Sequence, residues 1–269
     1  MNHLLRELAP VSGEAWAAID EEASRTLRHF LAARKVVDFS GPHGWSHSAE
    51  TLGRVDALDE APAAGVDAAI RRMQPLAELR TTFELSRREL EAIDRGSRDY
   101  DLQVVIDAAR QAAMAEDAAV FHGYDAAGIS GISQATPHAP VVIGDDYNRY
   151  PGTVAGAVAT LQAAGIGGPF AVALGPRCYT GVIETTEHGG YPVLEHIRLI
   201  LGGPIVWAPA VDGAIVVSLR GGDFQLTCGQ DFSIGYQDHD ADTVRFYLEE
   251  SMTFRVLSPD AGLALVYAD

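Results

Sequence analysis

The stretch DLQVVIDAARQAAMAEDAAVFHGY, residues 101–124, predicts the longest helix of the chain. Asp99 or Asp101 can cap the start of this helix, and Gly123 can end it. At 1.5 Å per residue the helix would be roughly 30 Å long. Apolar residues recur along it every three to four positions, at Leu102, Val105, Ala109, Ala112 or Ala113, and Val120. Because most of these side chains are small, other elements can approach closely, so we interpret the helix as a spine on which sheets pack.

The composition is that of a globular protein with an acidic surplus. Of the 269 residues, 47% are hydrophobic and 21% are charged, and the chain is long enough for one large domain or two small ones. The formal net charge is -17. This charge argues against nucleic acid as a partner, because binding to phosphates requires a basic surface.

Nothing in the sequence predicts a membrane or a secreted protein. No apolar run reaches the roughly 18 residues of a membrane-spanning helix, and the N-terminal stretch lacks a basic region followed by an apolar one. Cys178 and Cys228 lie far apart and form no CxxC pair, which favours free thiols in a reducing compartment. We therefore expect a cytoplasmic protein without membrane contact.

The first part of the chain predicts helices, strands and one weak hairpin. Helices are expected at 12–34 and 86–95, and strands at 35–39 and 76–85. Residues 48–75 show short alternating runs that favour a two-stranded hairpin. A long hairpin with little apolar surface is a poor independent unit, so this one needs a neighbour to pack on, and that neighbour can be another chain.

The remainder of the chain predicts an α/β lobe followed by strands. In the lobe, residues 126–219, strands are expected at 170–174, 205–208 and 214–219, and helices at 151–164 and 193–201. Residues 141–143 form a short apolar patch, and residues 178–184 favour either a helix or a loop. Further strands are expected at 223–227, 233–236, 243–250, 252–257 and 262–267. We expect these last strands to pair beside the spine helix and the strand near residue 80. The lobe would then be an insertion in a discontinuous domain.

Each pattern that resembles a catalytic or metal-binding motif lacks a required feature. The glycine-rich loop at 165–170 lacks the third glycine of a dinucleotide loop, and a helix precedes it where a strand should. The acidic run at 238–242, with Glu249 at the twelfth position, matches a calcium loop, but Thr243 stands where glycine is required. No histidine cluster has the spacing of metal ligands. The residues therefore predict no catalytic residue and no metal site.

Six segments, taken together and in chain order, resemble the encapsulin shell proteins of family 1, also called linocin M18-like proteins. They are RKVVDFSGPHGW (34–45), LAELRTTFELSRREL (76–90), ELEAIDRGS (89–97), AEDAAVFHGYDAAGISGI (115–132), RGGDFQLTCGQDFSIGY (220–236) and DTVRFYLEESMTFRV (242–256). The resemblance runs nearly end to end. It implies the α+β fold of the HK97 phage capsid protein.

The resemblance also implies a domain organisation. The family has a peripheral domain built on a spine helix and a sheet, an extended loop and an axial domain. On this chain the N-terminal helix and the start of the peripheral domain are expected at 1–47, the extended loop at 48–75, the peripheral domain with the spine helix at 76–125, the axial domain at 126–219, and the return strands of the peripheral domain at 220–269. The weak hairpin thus falls where the extended loop belongs.

In function, the resemblance implies a structural protein rather than an enzyme. Identical subunits, about sixty in the smallest shells, would close into an icosahedral nanocompartment whose pores pass small molecules or ions. The shell would enclose a cargo enzyme that carries a C-terminal targeting peptide, either a dye-decolourising peroxidase or a ferritin-like protein. Two alternatives stay open, namely the major capsid protein of an HK97-type phage or prophage and an unrecognised α/β enzyme.

By resemblance, the cargo peptide would bind between the first helix and the final strands. The matching positions are Leu27, Phe30, Leu31, Arg34, Asp38, Ile234 and Tyr236. An apolar slot with two charged side chains could bind and orient such a peptide. The alternative is that Phe30 and Ile234 are core residues and that Arg34 and Asp38 pair with each other.

Two further site predictions follow from the resemblance. The five-fold pore would be lined by Thr186, Glu187, His188, Gly189, Gly190 and Tyr191. His188 could make the pore charge respond to mildly acidic pH, or it could be a solvated loop residue. Some members of the family stack a flavin on a tryptophan before the spine helix. This chain has Arg88 at that position, so we expect no cofactor.

Overall fold

The computed structural model describes residues 3–187 and 189–268. The helices are α1 Gly13–Phe30, α2 Arg87–Asp94, α3 Gln103–Phe121, α4 Ile132–Ala135, α5 Tyr150–Ala163, α6 Pro176–Glu184 and α7 Val193–Leu201. The strands are β1 Asp38–Ser40, β2 Ala49–Ala57, β3 Ala69–Pro75, β4 Ala77–Ser86, β5 Val141–Ile143, β6 Phe170–Leu174, β7 Ile205–Trp207, β8 Ala214–Ser218, β9 Phe224–Cys228, β10 Ser233–His239, β11 Thr243–Val256 and β12 Gly262–Tyr267. No helix in these two ranges is both long and apolar enough to cross a bilayer.

The predicted spine helix is confirmed as α3. The Asp101 carboxylate accepts the Gln103 N–H at 2.8 Å and so caps the first turn. Gly123 follows the last turn with a φ of +93°. A Cβ there would lie 2.9 Å from the backbone nitrogen of Gly131, so both the conformation and the space require glycine. The stripe from Val105 to Val120 is buried as its spacing predicts.

The first helix ends four residues earlier than predicted. Leu31 has an extended backbone, and a 3-10 turn at Ala33–Lys35 follows. The carboxylate of Asp117, on α3, accepts the N–H groups of Ala32 and Ala33, both at 2.9 Å. These bonds stop α1 because they satisfy the N–H groups that a continued helix would use.

Strand β11 lies at the centre of the first sheet. Its order is β1-β9-β11-β10, and β4 also pairs with β11. The two strands predicted at 243–250 and 252–257 are one continuous strand, because β4 pairs with β11 without interruption from Thr243 to Met252. Residues of α1, α2 and α3 pack on β4, β10 and β11 to form one hydrophobic core.

The second sheet has the order β5-β12-β8-β6-β7. The prediction that all strands after residue 220 join the first sheet is therefore wrong for β12. This strand pairs with β8 and β5, with Leu265 opposite both Ala214 and Val141. Residues 262–265 of this strand (GLAL) are all buried, as in a strand covered on both faces. An apolar run predicts such burial but does not specify its partner strand. The division into domains stays a prediction.

The hairpin predicted in residues 48–75 is present. Strands β2 and β3 pair only with each other, from Ala49 opposite Pro75 to Ala57 opposite Ala69. Five large apolar side chains in this segment are at least half exposed, namely Val55, Leu58, Val66, Ile70 and Met73. Several large apolar side chains exposed in one segment indicate an interaction surface.

Candidate functional site

A groove of ≈ 480 Å³ lies between α1 and the segment that leads into β10. Side chains on α1 and just after it form one wall, and they are Asp20, Ala23, Ser24, Leu27, Arg28 and Leu31. The facing wall is formed by Phe232, Ser233, Ile234 and Leu248. The N-terminal segment contributes Leu4 and Arg6, and Arg34 and Asp231 also line the groove. The surface is thus apolar along both walls and charged at a few points, which suits an extended peptide.

Four of the seven predicted peptide-binding residues line this groove. They are Leu27, Leu31, Arg34 and Ile234. Ile234 is also part of the core, with 4% of its surface exposed, and its role in peptide binding stays a prediction. Arg34 does not pair with Asp38, so the alternative that joined these two side chains is wrong.

The other three predicted residues lie outside the groove lining. The ring of Phe30 packs on that of Trp207, with centroids 5.4 Å apart. The exposed carboxylate of Asp38 accepts the Gly222 N–H at 2.6 Å. Tyr236 is buried, and its N–H donates to the carbonyl of Leu4 at 2.8 Å. For these three residues peptide binding stays a prediction.

Arg34 is held by three carboxylates beside the groove. Its Nε lies 2.9 Å from Oε2 of Glu116, its Nη1 lies 2.8 Å from Oδ1 of Asp231, and its Nη2 lies 2.5 Å from Oε1 of Glu250. The side chains of Glu116 and Glu250 are fully buried, whereas 42% of the Asp231 side chain is exposed. Charge-assisted bonds of this kind fix the guanidinium in one orientation.

The buried charges of this cluster shift each other's protonation. Burial alone would lower the pKa of Arg34, but the carboxylates of Glu116, Glu250 and Asp231 outweigh it and raise that pKa. Burial and the adjacent Glu116 raise the pKa of Glu250 well above its usual value, although Arg34 opposes this change. One guanidinium therefore balances only part of the negative charge that the fold encloses.

Asp117, next to Glu116 on α3, is a second buried carboxyl group. Burial raises its pKa to about 7, although the bonds from the N–H groups of Ala33 and Ala32 act in the opposite direction. This group connects α3 to the 3-10 turn that carries Arg34. Its protonation thus affects the stability of the region beside the groove.

Replacing Asp117 by Asn is expected to remove a pH dependence from the stability. A carboxyl group whose pKa is raised on folding stabilises the protein fully below its usual pKa of 3.8, and this contribution is lost as the pH rises through about 7. The free energy of unfolding of the wild-type protein should therefore fall more steeply with pH across this window than that of Asp117→Asn. The difference in slope should reach up to about 1.4 kcal/mol per pH unit. Asp107→Asn, at an exposed position of α3, should follow the wild type. Parallel curves for Asp117→Asn and the wild type would contradict this prediction.

Sequence reasoning missed the carboxylates around Arg34. Glu116 lies on the buried stripe of α3, four residues after Ala112 and four before Val120, and an acidic residue on such a stripe needs a partner. That signal was available. Asp231 and Glu250 gave no comparable signal, because only the pairing of distant strands brings them to Arg34.

The predicted pore loop joins α6 to α7. The Glu187 N–H donates to the carbonyl of Tyr191 at 2.8 Å, and the Glu187 carboxylate lies 2.8 Å from Nδ1 of His196 on α7. Thr186 forms an isolated bridge with Pro192. Residues Gly189, Gly190 and Tyr191 are exposed, and both glycines have positive φ. His188 lies outside the described residues.

Two other expectations from the sequence concern bound ions and cofactors. The acidic run at 238–242 is a turn between strands, as expected, where the Asp240 carboxylate accepts the N–H groups of Asp242 and Thr243 at 2.9 Å each. Arg88 lines a surface cavity of ≈ 580 Å³ whose lining residues include no aromatic side chain. A flavin ring would find no stacking partner there, and the absence of a cofactor stays a prediction.

Comparison with known proteins extends these observations over the whole chain. The profile of the family described as "Encapsulating protein for peroxidase" matches residues 1–253. A type 1 encapsulin shell protein of Rhodospirillum rubrum is 53% identical over 98% of this chain and 96% of the relative. A type 1 encapsulin shell protein of Mycobacterium tuberculosis is 44% identical over 98% of this chain and 99% of the relative.

Solved structures show the same fold at low sequence identity. A virus-like particle from Pyrococcus furiosus has a TM-score of 0.68 at 15% identity and covers 93% of this chain and 98% of its own. The capsid of an empty GTA particle has a TM-score of 0.55 at 16% identity, and the match covers 89% of this chain and 90% of the capsid chain. These likenesses confirm the α+β fold of the HK97-like capsid proteins.

The whole-chain match to shell proteins decides between the alternatives. The relatives above 40% identity are encapsulin shell proteins, and this family is structural rather than enzymatic. The chain belongs to the encapsulin family of shell proteins and has the HK97-like capsid fold.

Proposed function

We propose that about sixty copies of this chain close into an icosahedral nanocompartment around a cargo enzyme. The observation that carries the proposal is the hairpin of β2 and β3. Its apolar side chains Val55, Ile70 and Met73 are more than half exposed, and its strands pair with no other strand of the described chain. In a closed shell such a surface packs on a neighbouring copy, which supplies the burial that one chain lacks.

The groove beside α1 is the proposed binding site for the C-terminal peptide of the cargo. Leu27, Leu31 and Ile234 offer apolar contacts for alternate side chains of an extended peptide. Arg34 is held by its carboxylates and is therefore a rigid wall of the groove rather than a free cation. The cargo would be a dye-decolourising peroxidase or a ferritin-like protein. The description of the matching family supports the peroxidase.

The loop from Thr186 to Tyr191 is the proposed lining of a five-fold pore. The positive φ angles of Gly189 and Gly190 allow the tight turn that this loop makes. The contact between Glu187 and His196 ties the loop to α7 and so sets its position. Such a pore would pass small molecules or ions into a cytoplasmic compartment.

Filling the groove is expected to block cargo loading while leaving the shell intact. Ser24 lines the groove on α1, and Ser24→Trp adds volume there without removing a core side chain. Ile234 is less suitable, because it is buried in the core. The probe is a fluorescent protein fused to the C-terminal peptide of the candidate peroxidase, or of the ferritin-like protein, and produced together with the shell. We expect fluorescence per particle to fall at least about tenfold, which corresponds to about 1.4 kcal/mol of binding free energy.

Glu21→Trp is the matched control, because Glu21 lies on the exposed face of the same helix outside the groove. Its particles should load like the wild type. Negative-stain electron microscopy of all three proteins tests the shell itself. Particles that load equally in both variants would overturn the groove assignment, whereas a wild-type protein without hollow particles would overturn the shell proposal.

A further inference from the structure

Cys228, Asp231 and Glu250 bring a thiol and two carboxylates together beside the groove. One possible ligand atom from each residue lies within 4.8 Å of the other two, a spacing found for no other group of such side chains in the described residues. Cys228 is the last residue of β9, Asp231 follows in the turn to β10, and Glu250 lies on the adjacent strand β11. The sequence does not predict this group, because strand pairing creates it.

Arg34 forms a hydrogen bond to one oxygen of Asp231 and to one oxygen of Glu250. Arg34 donates to Oδ1 of Asp231 at 2.8 Å and to Oε1 of Glu250 at 2.5 Å. The second oxygen of Glu250, Oε2, is buried and has no hydrogen-bond partner. The side chain that carries it is fully buried. A buried carboxylate oxygen of this kind requires a proton or a cation to offset its desolvation.

The charges around this oxygen favour a cation. Among the described residues, Arg34 is the one guanidinium that pairs with Glu116, Asp231 and Glu250. The negative groups thus outnumber the positive one in a largely buried region, where solvent screens charge poorly.

We propose that Cys228, Asp231 and Glu250 bind a divalent transition-metal ion of the Zn²⁺ and Fe²⁺ class. Sγ of Cys228 and one carboxylate oxygen of Glu250, to which we assign the unpartnered Oε2, are buried ligands, and Asp231 supplies a ligand at the partly exposed side. A thiolate among the ligands selects these ions over Mg²⁺ and Ca²⁺, which prefer oxygen alone. Three protein ligands leave one coordination position for water.

Arg34 has a supporting part in this site. It holds the other oxygen of each carboxylate and so orients both ligands, as outer-shell partners do in metal sites. On binding, a metal–sulfur bond forms, and the thiol proton passes to solvent. Asp231 and Arg34 also line the groove, so the ion would reach its ligands from that side.

Cobalt binding to the purified full chain tests the proposal. Co²⁺ is the probe, because its bond to a thiolate gives a charge-transfer absorption in the near ultraviolet that carboxylates and imidazoles do not give. We expect this absorption in the wild-type protein at one Co²⁺ per chain. Added Zn²⁺ should remove it and added Mg²⁺ should not.

Three variants test whether the absorption arises from Co²⁺ bound at the proposed site. Cys228→Ser should abolish it, and Cys178→Ser should retain it, because Cys178 is an equally buried free cysteine outside the group. Asp231→Ala changes a partly exposed ligand and is expected to weaken Co²⁺ binding at least about tenfold, which keeps the test decisive if Cys228→Ser does not fold. A wild-type protein without the absorption, an absorption that survives in Cys228→Ser, or unchanged affinity in Asp231→Ala would each overturn the proposal.

Discussion

Arg34→Ala is expected to lower the free energy of unfolding by about 3–5 kcal/mol, because it leaves two fully buried carboxylates without their cation. Glu116 and Glu250 cannot move to solvent, since each belongs to a core helix or a central strand. They must take up protons or remain charged in a medium that solvates charge poorly. Denaturant unfolding measures the loss, and shell yield should fall with it.

The pH dependence of this variant carries a second signature. Arg34 lowers the pKa of Glu250, so its removal raises that pKa further, and the destabilisation should be smaller at low pH than at neutral pH. Arg34→Lys should recover only part of the stability, because an ammonium cannot bond to three carboxylates through a planar fork.

Arg245→Ala is the matched control for Arg34→Ala. Arg245 also contacts three carboxylates, those of Glu84, Asp238 and Asp240, but each of these side chains is at least half exposed. Exposed ion pairs contribute about 0–1 kcal/mol, so this variant should unfold nearly like the wild type. Equal losses for the two alanine variants would show that burial is not the source of the effect.

Replacing residues 53–72 by a short Gly-Ser turn is expected to abolish assembly while leaving a folded subunit. The removed segment contains Val55 and Ile70, which are more than half exposed in the single chain and therefore contribute little to its own core. The replacement also leaves in place the hydrogen bond from Gln74 to the carbonyl of Phe254. In a closed assembly every subunit loses the same contact, so the effect is multiplied over the whole particle.

Size-exclusion chromatography and electron microscopy measure assembly in this variant, and circular dichroism measures its fold. A gentler version replaces two apolar residues of β3, Ile70→Ser with Met73→Ser. Its control is Arg71→Ser, which changes an exposed polar residue between them. Particles that form normally from the shortened chain would contradict the assigned role of the hairpin.

Local signals in the sequence predicted the elements well. The spacing of small apolar residues fixed α3, and Gly123 ended it as expected. The hairpin was predicted from short alternating runs, and β2 and β3 both lie within the expected residues 48–75.

Long-range pairing could not be predicted in the same way. The end of α1 depends on Asp117, which lies more than eighty residues away in the chain. The partner of β12 depends on which sheet has room for an apolar strand. The groove was predicted in part, since four of seven residues line it, but the carboxylates around Arg34 come from three separate elements. Such contacts are properties of the topology rather than of any local pattern.

The positions of β11 and β12 have a consequence for biosynthesis. Each lies in the interior of its sheet, β11 between β9 and β10 and β12 between β5 and β8, yet among the described residues they are the last two strands in chain order. Neither sheet can close while these residues are still inside the ribosome. A nascent chain that still lacks β11 and β12 therefore leaves both hydrophobic cores incomplete. Both sheets thus close late in the synthesis of each chain, after most of the described residues have left the ribosome.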